Sequence, residues 1–99
     1  MSTPDPVSTA VISQSLLAAA REMGTKLCRS AYSSIVREVK DASAGILDAQ
    51  GRAVAQCDHL TPMLVGSLSL TLKACMDRYP VETIREGDFY INNHPYAGG

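Results

Sequence analysis

The sequence has no tryptophan and few aromatic residues, with one Phe and four Tyr among 99 residues. A hydrophobic core must therefore depend on Leu, Ile, Val, Ala and Met side chains. No apolar run approaches the roughly 18–20 residues that a membrane-spanning helix needs, so we expect no association with a membrane. The first nine residues include Pro and Asp but no basic cluster, and they do not resemble a secretory signal.

The net charge is also close to zero, because nine Lys and Arg residues stand against ten Asp and Glu residues. These charges are scattered without a basic stripe, so nucleic-acid binding is not expected. The three cysteines, Cys28, Cys57 and Cys75, are far apart and include no C-x-x-C pair, which argues against a disulfide framework or a zinc knuckle. We expect reduced thiols that act as small apolar side chains in a cytoplasmic protein.

The remaining composition suits one small domain. Apolar residues make up 45% of the chain and charged residues 19%, which excludes a disordered chain. The pattern predicts a long N-terminal helix with Asp5 as N-cap and Pro6 at its first position, although Ser8 or Thr9 is an alternative cap. Gly24 indicates either close approach of another backbone or an early end of this helix. Apolar residues recur with helical spacing at Ile12, Leu16, Ala19, Met23 and Leu27.

The middle of the chain contains the clearest β signal. After a break at residues 30–34, residues 35–41 form either a helical turn or an exposed strand, and the pattern does not decide between them. Two apolar runs then follow, Gly45-Ile46-Leu47 and Ala53-Val54-Ala55, on either side of a Gly-containing turn. Short apolar runs around such a turn predict a β-hairpin.

The last third of the sequence adds a second amphipathic helix and a short strand. Apolar residues recur with helical period between Val65 and Tyr79, and Pro80 marks the end of that helix. Phe89-Tyr90-Ile91 is interpreted as the strand. The order of elements predicts an α+β fold. Three short strands leave sheet edges exposed, so we expect further strands from elsewhere, including from a second copy in a homo-oligomer.

Polar loops carry the residues most suited to chemistry. His59 lies beside Asp58, and His94 follows Asn92 and Asn93. Loop histidines beside carboxylates or amides suit a metal site or acid–base work, but a solvated loop histidine explains the same pattern. A metal site needs three or four ligands, which the sequence does not supply at close spacing.

A second candidate pair lies in the charged segment. Glu38 and Asp41 would share a helix face and suit acid–base catalysis, whereas the interleaved Arg37 and Lys40 favour a solvated charged face. No G-x-S-x-G nucleophile elbow and no P-loop occurs.

Six short motifs in order resemble the hydantoinase B/oxoprolinase family over residues 5–99. They are Asp5-Pro6-Val7, Glu22-Met23-Gly24, Arg29-Ser30-Ala31-Tyr32-Ser33 with the following Glu38-Val39-Lys40-Asp41-Ala42-Ser43, the hairpin Leu47 to Gln56, the segment His59 to Leu68, and Gly87-Asp88 through Gly99. Each motif alone is weak, but six in the family's order make a specific match.

The resemblance implies a large α+β enzyme subunit that works with a hydantoinase A-type, ATP-using partner subunit. The implied activity is ATP-dependent opening of cyclic amides such as hydantoins or 5-oxoproline, and in relatives the carboxylation of ketones. ATP would be bound only by the partner. We accordingly interpret residues 1–99 as an incomplete N-terminal part of the domain, which would be inactive alone.

The resemblance also implies site residues. In the family the N-D-P-Y-x-G-G motif runs on into a T-H-x-x-D stretch that resembles a metal-binding segment, and His94 stands where Asp is commonest. The expected divalent-metal ligands are therefore His94, His59 and Asp41, with Asn93 contacting substrate. Arg29 and Tyr32 suit a pocket wall, although packing explains them better.

Two other interpretations remain open from the sequence. The first is a stand-alone α+β module that binds a small ligand or dimerises by strand pairing. The second is a small metal-binding protein that uses Asp58, His59 and His94.

Overall fold

A computed structural model describes residues 3–61 and 64–98. In chain order these form helix α1 (Pro6–Ser30), a short helix α2 (Ser34–Arg37), strands β1 (Gly45–Leu47) and β2 (Ala53–Gln56), helix α3 (Val65–Arg78) and a 3₁₀ turn (Val81–Thr83). The predicted α+β fold is therefore confirmed. No helix in these two ranges is long and apolar enough to cross a membrane.

Helix α1 begins where the sequence predicts. The carboxylate of Asp5 accepts a hydrogen bond from the backbone N–H of Ser8 at 3.2 Å, and Pro6 occupies the first helical position. This cap satisfies one of the N–H groups that a helix start leaves without a partner. The helix ends at Ser30, whose hydroxyl donates to the carbonyl of Lys26 at 2.7 Å. Gly24 therefore does not end the helix.

The buried face of α1 differs from its most apolar face. The buried residues are Ala20, Gly24 and Cys28, spaced four apart, whereas Ile12, Met23 and Leu27 from the predicted apolar stripe are exposed. The hairpin and the loop after it pack on the small residues because Gly24 has no side chain to keep Cys57 away. Close approach at Gly24 is thus real, but side chains approach it rather than another backbone.

The hairpin confirms the prediction. Strands β1 and β2 pair antiparallel, with Gly45 opposite Gln56 and Ile46 opposite Ala55, and the register shifts before Leu47. The turn is held by Asp48, whose Oδ1 accepts backbone hydrogen bonds from Gln50 at 3.0 Å and Arg52 at 2.9 Å. Gly51 adopts φ +82° in this turn, a conformation that side-chain-bearing residues rarely take.

Residues 35–41, which the sequence left undecided, contain the end of α2 and a turn rather than a strand. Within this turn Lys40 has φ 62°, the one positive value among the described non-glycine residues. The carbonyl of Lys40 accepts hydrogen bonds from the Thr61 hydroxyl at 3.2 Å and the Ala42 backbone N–H at 2.9 Å. These bonds attach the turn to the loop after β2.

The predicted strand at residues 89–91 is wrong. These residues have no regular secondary structure, and Phe89 and Ile91 are almost fully exposed. The described sheet contains only β1 and β2, so the segment has no strand beside it to supply hydrogen bonds. It instead meets the end of α3 through Tyr90, whose ring centroid lies 5.1 Å from that of Tyr79.

The described structure leaves much apolar surface uncovered. The chain exposes 7735 Å², whereas a compact monomer of this mass exposes about 5,500 Å². Its Cα radius of gyration is 15.1 Å, against about 13 Å for a compact domain of 100 residues. The buried apolar residues are few and mostly small: Ala20, Cys28, Ala44, Cys57 and Leu60. Two of the three cysteines are among them, as expected for thiols that pack like small apolar side chains.

Candidate functional site

The first hollow, which we call the basic hollow, lies where the end of α1, the turn after α2 and the loop after β2 meet. Its volume is about 470 Å³. The polar side chains that line it are Thr25, Arg29, Arg37, Glu38, Lys40 and His59, and Cys28 and Leu60 supply its apolar part. Three separate stretches of chain thus bring one predicted site residue, His59, next to several charges.

His59 is held against α1 by weak polar contacts. Its Nε2 lies 3.4 Å from the Thr25 hydroxyl, and both ring nitrogens lie 3.5 Å from the sulfur of Cys57. The Oδ1 atom of Asp58 is 3.9 Å from Nδ1. The imidazole is therefore positioned between a buried thiol and the hollow, with part of its ring open to solvent.

Asp58 is engaged by an arginine of α1. The guanidinium of Arg21 donates two hydrogen bonds to the carboxylate of Asp58, at 2.9 Å and 2.6 Å. This contact with Arg21 lowers the pKa of Asp58 to about 2. Both carboxylate oxygens are occupied, so Asp58 ties its loop to α1 and is poorly placed to bind a metal with His59.

Asp58→Asn is expected to destabilise the protein at neutral pH but not near pH 2. Because the folded-state pKa of Asp58 is lowered from 3.8 to about 2, the ion pair stabilises the fold above pH 4 and is lost as pH falls toward 2. The effect is modest, since the two side chains are 48% and 50% exposed. Melting temperatures measured from pH 2 to 7 test this.

The exposed Asp77 on α3 offers a control, because no ion pair of Asp77 occurs in the described ranges. Asp77→Asn should change the melting temperature little across the same pH range. A difference between Asp58→Asn and the wild type that stays constant with pH would contradict the predicted pairing.

The second hollow lies beside the C-terminal end of α3 and has a volume of about 340 Å³. Ala74, Cys75, Arg78 and Tyr79 line one side, and Ile91, Asn92, His94 and Ala97 line the other. The loop at residues 92–97 is closed by Asn92, whose Nδ2 donates to the carbonyl of Ala97 at 2.7 Å. Its Oδ1 accepts from the backbone N–H of His94 at 2.9 Å, so Asn92 shapes the loop that presents His94.

The hydrogen bonds of His94 define its chemistry. The backbone N–H of Tyr96 donates to Nδ1 of His94 at 3.2 Å. In a neutral imidazole one ring nitrogen accepts and the other carries the proton, so Nε2 is an N–H donor in this arrangement. A metal would need the lone pair of Nε2, and the ring would then have to give up its bond from Tyr96. His94 is thus arranged to donate a hydrogen bond.

The structure does not bring the predicted metal ligands together. His59 lines the basic hollow and His94 lines the second hollow, while Asp41 lines neither. Across residues 3–61 and 64–98, no group of three or more His, Cys, Asp or Glu side chains could hold a metal ion. Asn93 is exposed beside His94 and lines neither hollow. Glu38 and Asp41, considered as an acid–base pair, are also separated, because only Glu38 lines the basic hollow.

Sequence reasoning missed the role of several charged or polar residues. Arg37 and Lys40 looked like a solvated face, yet both line the basic hollow together with Arg29. Tyr32, considered for a pocket wall, is fully exposed. Asn92 could have been found, because an Asn two residues before a loop position commonly bonds to that position's backbone. The convergence of the three cations depends on tertiary contacts, which no local pattern shows.

Comparison with known proteins gives a consistent result. The family model for hydantoinase B/oxoprolinase matches residues 5–99. The chain is 36% identical to the B-type subunit of a D-/L-hydantoinase from Pseudomonas sp. strain NS671, over 95% of this chain and 16% of that protein. It is 33% identical to a 5-oxoprolinase of Saccharomyces cerevisiae, over 96% of this chain and 7% of that protein. A 5-oxoprolinase of Dictyostelium discoideum is 32% identical, over 96% and 7%. No solved structure matches the chain.

Proposed function

The chain belongs to the hydantoinase B/oxoprolinase family, and from this premise we propose that it supplies the N-terminal region of a subunit that opens cyclic amides. The observation that carries the proposal is the match over residues 5–99, together with relatives named as a hydantoinase subunit and 5-oxoprolinases. The chain spans less than a fifth of the length of these relatives. The substrate class is therefore a hydantoin or 5-oxoproline, both of which contain a ring amide.

His94 is the residue that we assign to this reaction. Attack on a ring amide places negative charge on the carbonyl oxygen, and an oriented N–H donor stabilises that charge. The Nε2–H of His94 is such a donor, because the Tyr96 backbone fixes Nδ1 as the acceptor. We also propose that the neighbouring Asn93 contacts substrate through its exposed amide.

A divalent metal remains a prediction from the family resemblance. The described positions of His94, His59 and Asp41 do not fit one site, since no hollow is lined by all three. We therefore assign no step to a metal. When bound elsewhere in such a protein, a divalent metal would supply an activated water or polarise the amide carbonyl.

We propose that ATP is used on a hydantoinase A-type partner subunit. The Pseudomonas relative is named as one subunit of a hydantoinase, which supports a multi-subunit assembly. The described cysteines are free thiols, which is compatible with the cytoplasm as the proposed location. Self-association of the subunit also stays a proposal, and the uncovered apolar surface of α1 is compatible with it.

The test of the function is ring opening by the native protein co-expressed with its ATP-using partner. Hydantoin and 5-oxoproline are supplied with ATP, and the ring-opened acid and released phosphate are measured. We expect ATP-dependent opening of at least one substrate. His94→Ala should lower kcat roughly tenfold or more, because it removes a hydrogen bond to a developing charge.

Tyr96→Phe serves as the matched control, because it removes only an exposed hydroxyl beside His94. Its kcat should stay near that of the wild type. An intact wild-type complex that opens neither ring would reject the proposed function, whereas normal activity of His94→Ala would reject only the role of His94. Unchanged metal content of His94→Ala would count against His94 as a metal ligand.

A further inference from the structure

The basic hollow gathers more positive than negative charge. Arg29, Arg37 and Lys40 line it, against a single carboxylate from Glu38. Within residues 3–61 and 64–98, these three cations form no ion pair within 4.0 Å, while Arg21 and Arg52 are each paired with an aspartate. Three unpaired cations around one concavity repel one another, and an anion placed among them removes that repulsion.

We propose that the basic hollow binds a small-molecule oxyanion, either a carboxylate or a phosphate group. Two arginines present planar N–H forks, which match the oxygen pairs of both groups. The Thr25 hydroxyl and the His59 imidazole line the same hollow and add polar groups that can donate to an oxyanion. The volume of about 470 Å³ lies within the range of roughly 300–1,000 Å³ usual for small-molecule sites.

The geometry of Lys40 supports a built site. Its φ of 62° is unfavourable for a residue with a Cβ atom. Hydrogen bonds from Thr61 and Ala42 to its carbonyl hold the residue in this conformation, at the point where its side chain lines the hollow. Unfavourable backbone conformations of this kind concentrate at ligand sites, and a glycine here would give a more relaxed turn without the charge.

The charge balance selects the kind of ligand. Three cations and one carboxylate leave the lining with an excess of two positive charges when His59 is neutral. A neutral cyclic amide has no charge to answer this excess, whereas a phosphate or a dicarboxylate does. The assignment does not rest on the proposed function, because it follows from the charges and shape of the hollow.

Calorimetric titration of the native protein tests the site directly. Inorganic phosphate and succinate are titrated separately at constant ionic strength, which chloride maintains. Saturable binding of either one is expected, and the one that binds tells a phosphate-bearing ligand from a carboxylate-bearing one. Arg37→Gln should raise Kd roughly tenfold, the usual effect of losing one hydrogen bond to a charged group. Arg85→Gln, an exposed arginine outside the hollow, should leave Kd unchanged.

Lys40→Gly separates binding from folding. It should raise Kd and also raise the melting temperature by about 2–6 °C, because glycine accepts a positive φ without strain. A role in folding alone would raise the melting temperature and leave Kd unchanged. The proposal is overturned if neither phosphate nor succinate shows saturable binding, or if Arg37→Gln and Arg85→Gln affect Kd equally. Ring-opening activity is not needed for this test, so its failure is distinguishable from failure of the proposed function.

Discussion

Gly24→Ala is expected to destabilise the protein by about 1–2 kcal/mol, although alanine favours helices by about 1 kcal/mol over glycine. A Cβ atom at this position would lie 2.5 Å from the sulfur of Cys57 and 2.9 Å from Cδ1 of Leu60. Both neighbours are buried, so neither can move away freely. Overpacking of this kind costs more than the helix propensity returns. Gly24→Val adds two further carbons and should cost on the order of 3 kcal/mol or more.

Denaturant unfolding measures both variants, and Gly66→Ala is the matched control. Gly66 also lies in a helix, α3, but a Cβ atom there would meet nothing within 4 Å. Gly66→Ala should therefore be neutral or stabilise the protein by up to about 1 kcal/mol. Stabilisation by Gly24→Ala equal to that by Gly66→Ala would show that α1 and the loop after β2 do not pack closely.

A double-mutant cycle tests the contact itself. Cys57→Ala removes the sulfur that lies closest to the new Cβ atom, so Gly24→Ala should cost less in that background. The recovery should be partial, because the Cβ atom of Cys57 still lies 3.2 Å from the same point. Additive effects of the two substitutions would place the destabilisation elsewhere.

The same contact explains how far the sequence could predict α1. The Asp5 cap and the helical spacing are local signals, and both the helix and its start follow from them. The buried face follows from a contact with residues more than thirty positions away, Cys57 and Leu60. Small residues such as Gly24 contribute little to apolar periodicity, so the larger Met23 and Leu27 pointed to the neighbouring, exposed face.

The expected strand at residues 89–91 failed for a related reason. Aromatic and β-branched residues fit a pleated surface, but a strand forms only where another strand supplies hydrogen bonds. The hairpin needs no distant partner, because its two strands lie next to each other in sequence, and it was predicted correctly. The C-terminal segment depends on a partner that the described residues do not provide.

Residue type located the candidate histidines, but distance in the fold decided their company. His59 and His94 both line hollows, as loop histidines near polar residues suggested. Their separation could not be read from the sequence, since it depends on where α3 carries the C-terminal loop. The gathering of Arg29, Arg37 and Lys40 was equally hidden, because their spacing along the chain resembles an ordinary solvated segment.

Leu60→Ala is expected to destabilise the protein by about 2–5 kcal/mol, the usual range for a buried leucine. Leu60 is 6% exposed and is the only large aliphatic side chain among the buried residues described. Its loss removes much of the apolar contact that holds the loop after β2 against α1. Leu70 on α3 is 62% exposed, so Leu70→Ala should change stability by only about 0.5 kcal/mol. Denaturant unfolding compares the two.

Thiol labelling shows whether Leu60 stabilises the whole core or only its loop. Cys28 and Cys57 are buried in one cluster with Ala44 and Leu60, and a buried thiol reacts only when the structure around it opens. If the cluster opens as one unit, Leu60→Ala should speed labelling of both cysteines by the same factor, about tenfold per 1.4 kcal/mol lost. Faster labelling of Cys57 alone would mean that the loop after β2 detaches while α1 keeps Cys28 covered. We expect the common factor, because Cys57 at 3% exposure lies directly over Gly24, so the loop and α1 bury each other. Equal labelling rates in Leu60→Ala and Leu70→Ala would contradict the position of Leu60 in the core.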